Sequence, residues 1–284
     1  MKGKVYLIGV GPGDPELLTI KAWRVLGTAD VVLHDALASQ EIIDLCSARA
    51  EIRNVGKRCG QRGGTQESIH EQMIRAANVG LTVARLQAGD PLIFGRLGEE
   101  IEALSAAGIA FEIIPGVTAA SAAAAAAGVA LTHRRLASKL VFLTGHHCAG
   151  KEPADWSSVA TDSTIAVYMP GASYAQIALE LRRAGVDART PCLIVSQASR
   201  AESRIRGTTV GQLPYMLPLP APSILLVGEV LARQTQAAGE WGGEGAPGGF
   251  QLGDAEGAAE HVIDCCAEGN GDGEIHDLGE FAIA

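Results

Sequence analysis

The fold class is decided by the stretch Arg85-Leu-Gln-Ala-Gly-Asp-Pro-Leu-Ile-Phe-Gly-Arg-Leu-Gly-Glu-Glu100. It begins at the end of an apolar run typical of a strand, and Ala88-Gly89-Asp90-Pro91 then breaks that strand, because proline cannot continue a ladder. From Leu97 to Ala107 the apolar residues recur at helical spacing. The stretch therefore predicts strand, loop and helix, with the loop at the carboxyl edge of a sheet, where α/β proteins bind ligands. A tight connector without a ligand is the alternative, since glutamates favour helix N-termini anyway.

The rest of the chain alternates between strand and helix patterns in the same way. Strands are predicted at residues 4–10, 29–35, 51–55, 111–114, 139–144, 164–168, 191–196, 203–209 and 222–227, and helices at 16–26, 66–79, 117–127 and 174–184. Helices between the early strands predict a mostly parallel N-terminal sheet covered on both faces. The polar and apolar alternation of Ser203–Thr209 is typical of an antiparallel strand, so the C-terminal sheet is predicted to be mixed.

Composition and turn residues divide the chain into three parts. Pro115-Gly116 indicates a hinge, so we predict two α/β domains, residues 1–114 and residues 115–233, with a ligand cleft between them. Residues 234–284 hold 11 acidic residues and 12 glycines but no lysine or arginine, and their apolar residues show no sustained period. This composition predicts an acidic, glycine-rich and disordered tail.

The charge balance restricts the class of partner. The net charge of −9 arises in the tail, because residues 1–233 hold 21 acidic residues against all 23 lysines and arginines. The folded part is therefore slightly basic and is compatible with an anionic small molecule. No dense basic stripe favours nucleic acid, so no nucleic-acid partner is expected.

Apolar runs and cysteine spacing indicate the compartment. No apolar run is long enough to span a bilayer, and the N-terminus passes directly into a strand pattern, so we expect a cytoplasmic protein without a membrane partner. The six cysteines lack Cys-x-x-Cys spacing. Gly145-His146-His147-Cys148 has no further ligands at suitable spacing, and adjacent histidines point in different directions, so no metal is expected.

The first glycine-rich loop is not a nucleotide fingerprint. Asp14 stands where the third glycine of a dinucleotide-binding loop belongs, and no Gly-Lys-Ser/Thr follows. A carboxylate and two prolines suit a neutral or cationic ligand better than a pyrophosphate, although a stiff turn is the alternative. Asp35 ends the next strand at the same edge, where it is either a candidate base or a helix cap.

Set side by side, these segments resemble the tetrapyrrole methylases, and most closely the members that methylate uroporphyrinogen III. The resemblance covers residues 4–232, in order and at ordinary spacing. It is carried by residues 5–19, 56–58, 89–96 with 99–100, 115–119, 131–134 and 144–146.

The resemblance implies a homodimer that binds S-adenosylmethionine in its cleft and a tetrapyrrole as substrate. The implied reaction is C-methylation of uroporphyrinogen III at ring carbons 2 and 7, which gives precorrin-2. The cofactor contacts by matching position are Pro12, Ala88, Gly89, Asp90, Ile93, Thr118, Ala119, Met169 and Ala198. The implied acid/base pair is Asp35 and Lys57, and Arg96, Glu99 and Met169 match positions around the tetrapyrrole. Arginine forks suit the substrate carboxylates, which adds Arg58, Arg134 and Arg135 as substrate-binding candidates.

Three departures from the family pattern bear on substrate fit. Ala88 replaces a glycine, Leu97 adds bulk beside Arg96, and His34 stands where a tyrosine commonly precedes the catalytic aspartate. Two alternatives therefore stay open: methylation of a later corrin precursor, and a protein that binds a tetrapyrrole or the cofactor without turnover.

Overall fold

The computed structural model describes residues 2–56, 65–145, 155–157, 159 and 162–232. Lys57, Arg58, the His146–Cys148 segment and the predicted acidic tail lie outside these residues. Within the described ranges, no helix is both long and apolar enough to cross a membrane.

The first sheet is fully parallel, as predicted. Its strands are β1 (Lys4–Gly9), β2 (Val31–His34), β3 (Glu51–Asn54), β4 (Val83–Gln87) and β5 (Ala110–Ile114). They lie in the order β3-β2-β4-β1-β5. The strand β1 is therefore an interior strand of the sheet, with Val5 opposite Val83 on one side and Phe111 on the other.

Helices cover both faces of this sheet. They are α1 (Ile20–Leu26), α2 (Gln40–Ile43), α3 (Gln66–Asn78) and α4 (Leu97–Ala106). One face packs Leu7 and Leu33 among the buried residues of α3 and α4, and the other packs Ile8, Val32 and Leu86 with those of α1 and α2. Apolar residues on both faces explain why the interior strands β1 and β2 are nearly continuous apolar runs. The edge strand β3 is mostly exposed and more polar.

The predicted helix at 16–26 is divided into two parts. A single 3-10 turn spans Pro15–Leu17, and α1 begins only after Thr19, whose hydroxyl accepts a hydrogen bond from the Ala22 amide. Leu18 and Thr19 are extended, because Thr19 acts as the N-cap of α1. The prediction of one continuous helix was wrong here.

The second sheet is mixed, as the alternation of its fourth strand predicted. In chain order its elements are α5 (Ala119–Ala126), β6 (Lys139–Thr144), β7 (Ser163–Tyr168), α6 (Tyr174–Arg183), β8 (Pro191–Ser196), β9 (Arg204–Thr209) and β10 (Ser223–Val227). The strand order is β6-β7-β10-β8-β9, in which β6 and β7 are parallel and β10 and β9 pair antiparallel with their neighbours. Consequently β7 and β8 end at the same edge.

The alanine-rich helix α5 is a packing element. Ala120 and Ala123 are fully buried in the core that contains Leu193 and Leu226 of the second sheet. Next to it, Gly116 permits a very close approach of two chain segments, because a Cβ there would lie 2.4 Å from the Gly89 carbonyl oxygen. The domain boundary at 114 and 115 stays a prediction.

Candidate active site

A cleft with a volume of about 490 Å³ lies where the carboxyl ends of β1, β2 and β4 meet the loops that follow β7 and β8. Parallel strands bring their following loops to one edge, which is why residues far apart in sequence meet here. All the residues predicted to contact the cofactor line it: Pro12, Ala88, Gly89, Asp90, Ile93, Thr118, Ala119, Met169 and Ala198. Asp35 and Arg96 line it as well.

The two glycine loops of the first sheet are joined by a reciprocal pair of backbone hydrogen bonds. The Gly11 amide donates to the Gly89 carbonyl at 3.1 Å, and the Gly89 amide donates to the Gly11 carbonyl at 2.7 Å. Both residues have φ close to +70°, at 71° and 73°, a region that glycine adopts without steric cost. This pair fixes Pro12 against the loop that carries Asp90.

Asp35 joins the loop after β2 to the loop after β4 through its side chain. Its Oδ1 accepts hydrogen bonds from the Leu37 amide at 2.8 Å and the Ala38 amide at 3.0 Å. Its Oδ2 accepts one from the Ala88 amide at 3.0 Å, across to the loop after β4. One carboxylate therefore both caps the turn after β2 and lies at the cleft, so the two alternatives offered for Asp35 do not exclude each other. Each carboxylate oxygen can also accept a second hydrogen bond, from a ligand. The acid/base role of Asp35 stays a prediction.

Below the loop that joins β4 to α4 lies a buried polar cluster, which the sequence analysis missed. The Glu100 carboxylate is 0% exposed and forms an ion pair with Arg85, whose Nε lies 3.0 Å from Oε1. The side-chain amides of Gln87 and Gln66 donate to the same carboxylate at 2.9 and 3.3 Å. Arg85, Gln87 and Gln66 all line the cleft. The signal was present in the sequence, because Arg85 and Gln87 are polar residues in a strand that is otherwise apolar.

At the mouth of the cleft, Arg96 and Glu99 form a two-point contact. Arg96 Nε lies 2.9 Å from Glu99 Oε1, and Nη2 lies 2.6 Å from Oε2. Both side chains are about half exposed, at 56% and 47%. Glu99 does not itself line the cleft, so its contact with Arg96 orients a guanidinium that does.

Five non-glycine residues in the described ranges have positive φ, and all five lie in the loops around the cleft. They are Phe94, Arg96, Met169, Gln197 and Ser199, with φ between 50° and 63°. Each such conformation costs on the order of 1–3 kcal/mol and tends to occur at functional sites. The strain indicates that these loops are shaped for a ligand as well as for the fold.

Tyr168 closes the back of the cleft, and sequence reasoning missed it too. Its hydroxyl lies 2.5 Å from the Thr118 hydroxyl, and its ring contacts Phe94 with a centroid distance of 5.1 Å. Burial raises the pKa of this phenol, so the hydroxyl stays protonated and able to donate. Thr118, predicted to contact the cofactor, is thereby fixed at the start of α5.

Two further predicted site residues within the described ranges, Arg134 and Arg135, do not line the cleft. Both arginines are exposed on a turn closed by His133 and Ala137, within the connection between α5 and β6, so their substrate contacts stay a prediction. Lys57 and Arg58 lie outside the described residues, and their substrate contacts stay a prediction too. Among the residues that the structure describes, no three His, Cys, Asp or Glu side chains are grouped to hold a metal ion.

Residues 4–214 match the family model described as tetrapyrrole (corrin/porphyrin) methylases. The chain belongs to this family. The family assignment agrees with the cleft, which is lined in part by three of the segments quoted for the resemblance, residues 5–19, 89–96 and 115–119.

Curated and solved family members are similar over most of this chain. The uroporphyrinogen-III C-methyltransferase of Paracoccus denitrificans is 46% identical over 235 residues, which cover 81% of this chain and 82% of that protein. The uroporphyrin-III C-methyl transferase of Thermus thermophilus, solved with S-adenyl homocysteine, is 37% identical with a TM-score of 0.70, covering 81% of this chain and 93% of that one. Siroheme synthase 1 of Cronobacter sakazakii is 43% identical over 239 residues, 84% of this chain but 51% of that protein. The chain thus spans about half the length of several curated relatives that it matches.

Proposed function

We propose that this protein transfers methyl groups from S-adenosylmethionine to ring carbons 2 and 7 of uroporphyrinogen III and so produces precorrin-2. The observation that carries the proposal is the convergence of all nine implied cofactor positions on one cleft. The similarity to family members named for this activity supports it.

The lining of the cleft fits such a cofactor. A Cβ placed on Gly89 would have only the Ala119 amide nitrogen within 4 Å, at 3.8 Å. The space beside the Gly89 backbone is therefore open to a ligand. Ile93, Met169 and Ala198 supply an apolar wall for a purine, and the Asp90 carboxylate suits the positive charges of the cofactor. When bound, the cofactor supplies a methyl group on a sulfonium, and its leaving group is neutral.

The residues of the chain then have to orient the macrocycle and accept a proton. Positioning alone can supply roughly 7–11 kcal/mol of the barrier for an in-line transfer. We assign the carboxylates of the macrocycle to Arg96, oriented by Glu99, because a planar guanidinium binds a carboxylate at two points. We assign acceptance of the proton that is released as the macrocycle rearranges to the Asp35 carboxylate, which lines the cleft. Lys57 is either the proton donor of this pair or a further partner for a substrate carboxylate.

One reaction tests the proposal. The purified protein is incubated anaerobically with uroporphyrinogen III and S-adenosylmethionine, and the methyl groups added to the product are counted by mass spectrometry. The proposal expects two. Methylation of a later corrin precursor in a substrate panel, with none of uroporphyrinogen III, would replace the proposed substrate. Binding of both ligands without any methylated product would indicate a protein without turnover.

We also propose a homodimer that resides in the cytoplasm. The exposed face of α1 supports the assembly, because Ile20 and Trp23 are 68% and 56% exposed although both are large and apolar. Light scattering after size-exclusion chromatography tests the proposed dimer, and a monomeric mass at micromolar concentration would contradict it.

A further inference from the structure

Arg200 extends from the second sheet to the loops of the first. It follows β8 on a tight turn whose residues Gln197 and Ser199 both have positive φ, at 51° and 63°. The turn is fixed by backbone hydrogen bonds from the Gln197 amide to Pro222 and from the Arg200 amide to Gln197, at 2.8 and 3.1 Å. The backbone position of Arg200 is therefore fixed relative to β8.

The guanidinium contacts two loops at the opposite side of the cleft. Its Nε donates to the Pro12 carbonyl at 3.2 Å, and its Nη2 donates to the Leu37 carbonyl at 2.6 Å. Pro12 follows β1 and Leu37 follows β2, so one side chain joins three loops from two sheets. Both acceptors are neutral carbonyls, so this contact is not an ion pair that tolerates any cation. It needs the two-pronged geometry of a guanidinium.

Gly13 provides the space for this contact. A Cβ on Gly13 would lie 2.5 Å from Arg200 Nε, and φ at Gly13 is 143°. The Gly13 carbonyl in turn accepts a hydrogen bond from the Ser39 hydroxyl at 2.7 Å. The loop after β1 is thus shaped to let the guanidinium lie directly against its backbone.

Arg200 lies between two parts of the proposed cofactor site. Pro12, on the first-sheet side, and Ala198, on the second-sheet side, both line the cleft together with Arg200 itself. We propose that Arg200 is a positioning residue that holds these two walls at a fixed separation, and so determines how tightly the cofactor and its product, S-adenosylhomocysteine, are held. This inference rests on the proposed function. A site whose walls are held in place before binding loses less freedom when the ligand arrives.

Binding of S-adenosylhomocysteine tests the inference directly. Arg200→Met removes the donors and keeps most of the stem, and we expect its affinity to fall roughly tenfold or more, because two hydrogen bonds from a charged group are lost. The loss should appear mainly as faster release in stopped-flow measurements, as most affinity changes do. Arg200→Lys keeps the charge without the fork and should recover only part of the affinity. Arg204→Met, an exposed arginine four residues further on, is the matched control and should bind like the wild type.

Kinetics separate positioning from mere stabilisation. The KM for S-adenosylmethionine should rise in Arg200→Met while the KM for the tetrapyrrole stays unchanged. A residue that only stabilises the fold would lower the melting temperature and the active fraction, but it would leave both KM values and the release rate as they are. That result would overturn the inference.

A double-mutant cycle with Gly13→Ala provides an independent variant. Gly13→Ala should weaken S-adenosylhomocysteine binding in the wild type, because the new methyl group displaces the Arg200 guanidinium. In an Arg200→Ala background the same change should weaken binding less, because that guanidinium is already absent. Fully additive effects would contradict the inference. If the wild type itself does not bind S-adenosylhomocysteine, the proposed function fails and this inference fails with it. If the wild type and Arg200→Met bind equally, only the inference about Arg200 fails.

Discussion

At the scale of single residues, two aspartates at opposite ends of β2 make the same kind of contact. Asp30 Oδ2 accepts a hydrogen bond from the Thr82 amide at 2.8 Å, before β4 begins. Asp35 Oδ2 accepts one from the Ala88 amide at 3.0 Å, after β4 ends. Of the two, only Asp35 lines the cleft. Comparing variants of the two aspartates therefore distinguishes the loss of a backbone contact from the loss of a proposed proton acceptor.

The first prediction uses this pair. Asp35→Asn should lower turnover by roughly 10²–10⁴, the usual range for one acid/base group, while S-adenosylhomocysteine binds within a few-fold of the wild type. Asp30→Asn makes the same exchange at a similar backbone contact and should retain turnover. Steady-state kinetics and calorimetry on both variants check this. Wild-type turnover in Asp35→Asn would remove this residue from the mechanism.

The second prediction concerns Arg96. Arg96→Lys keeps the charge and loses the fork, so a contact worth on the order of 1.5–3 kcal/mol should be lost, which is roughly a ten- to hundred-fold drop in kcat/KM. Affinity for S-adenosylhomocysteine should change little. Arg183→Lys makes the same change in another i,i+3 pair, with Glu180 on α6 and outside the cleft lining, and is the control. If cofactor affinity falls while macrocycle binding is unchanged, Arg96 is assigned to the wrong ligand.

At the scale of elements, the Arg85–Glu100 pair joins β4 to α4 beneath the loop that both flank. Glu100→Gln keeps the shape and leaves Arg85 buried without its counter-charge, which should lower the free energy of unfolding by roughly 3–5 kcal/mol. Urea denaturation measures it. Glu102→Gln, exposed two residues further along α4, should unfold like the wild type. Equal midpoints for all three proteins would show that the buried pair contributes nothing net.

A second element-scale prediction concerns pH. Hydrogen bonds from Lys21 and Lys4, which tie β5 to α1 and β1, lower the pKa of the Glu112 carboxyl from 4.5 to about 2. A folded-state pKa below the unfolded value means that the stabilisation is present above pH 4.5 and is lost as the pH falls from 4.5 towards 2. Glu112→Gln should therefore be less stable than the wild type at pH 7, and the difference should shrink as the pH falls through this window. Urea midpoints at several pH values test it, with Glu71→Gln on α3 expected to follow the wild-type profile.

Most elements could be predicted from periodicity, and the exceptions have physical reasons. The interior parallel strands β1 and β2 were found because they are buried on both faces and form apolar runs. The four-residue helix α2 was missed, since it is too short to show a period and is stabilised by the burial of Ile42 and Ile43. The nine implied cofactor positions, all of which line the cleft, came from the family resemblance. Arg200 was not, because its two acceptors lie 188 and 163 residues away and no local pattern records them.

At the scale of the whole molecule, the described fold closes before the predicted tail begins. Leu231, in the last turn, is fully buried against the second sheet. Removing residues 234–284 should therefore leave the urea midpoint and turnover nearly unchanged. Loss of activity on truncation, or resistance of this segment to limited proteolysis, would contradict the prediction.

The interior place of β1 has a consequence for synthesis on the ribosome. Val5 pairs with Val83 and with Phe111, so the first strand to be made needs the fourth and the fifth before both of its edges are satisfied. At a typical rate of 5–20 residues per second, the interval between residues 5 and 111 is roughly 5–20 s. Until residue 111 is made, at least one edge of this apolar strand is unpaired and open to chaperones and to other nascent chains. Slower translation before residue 111 should therefore lower the yield of native protein more than the same delay after it.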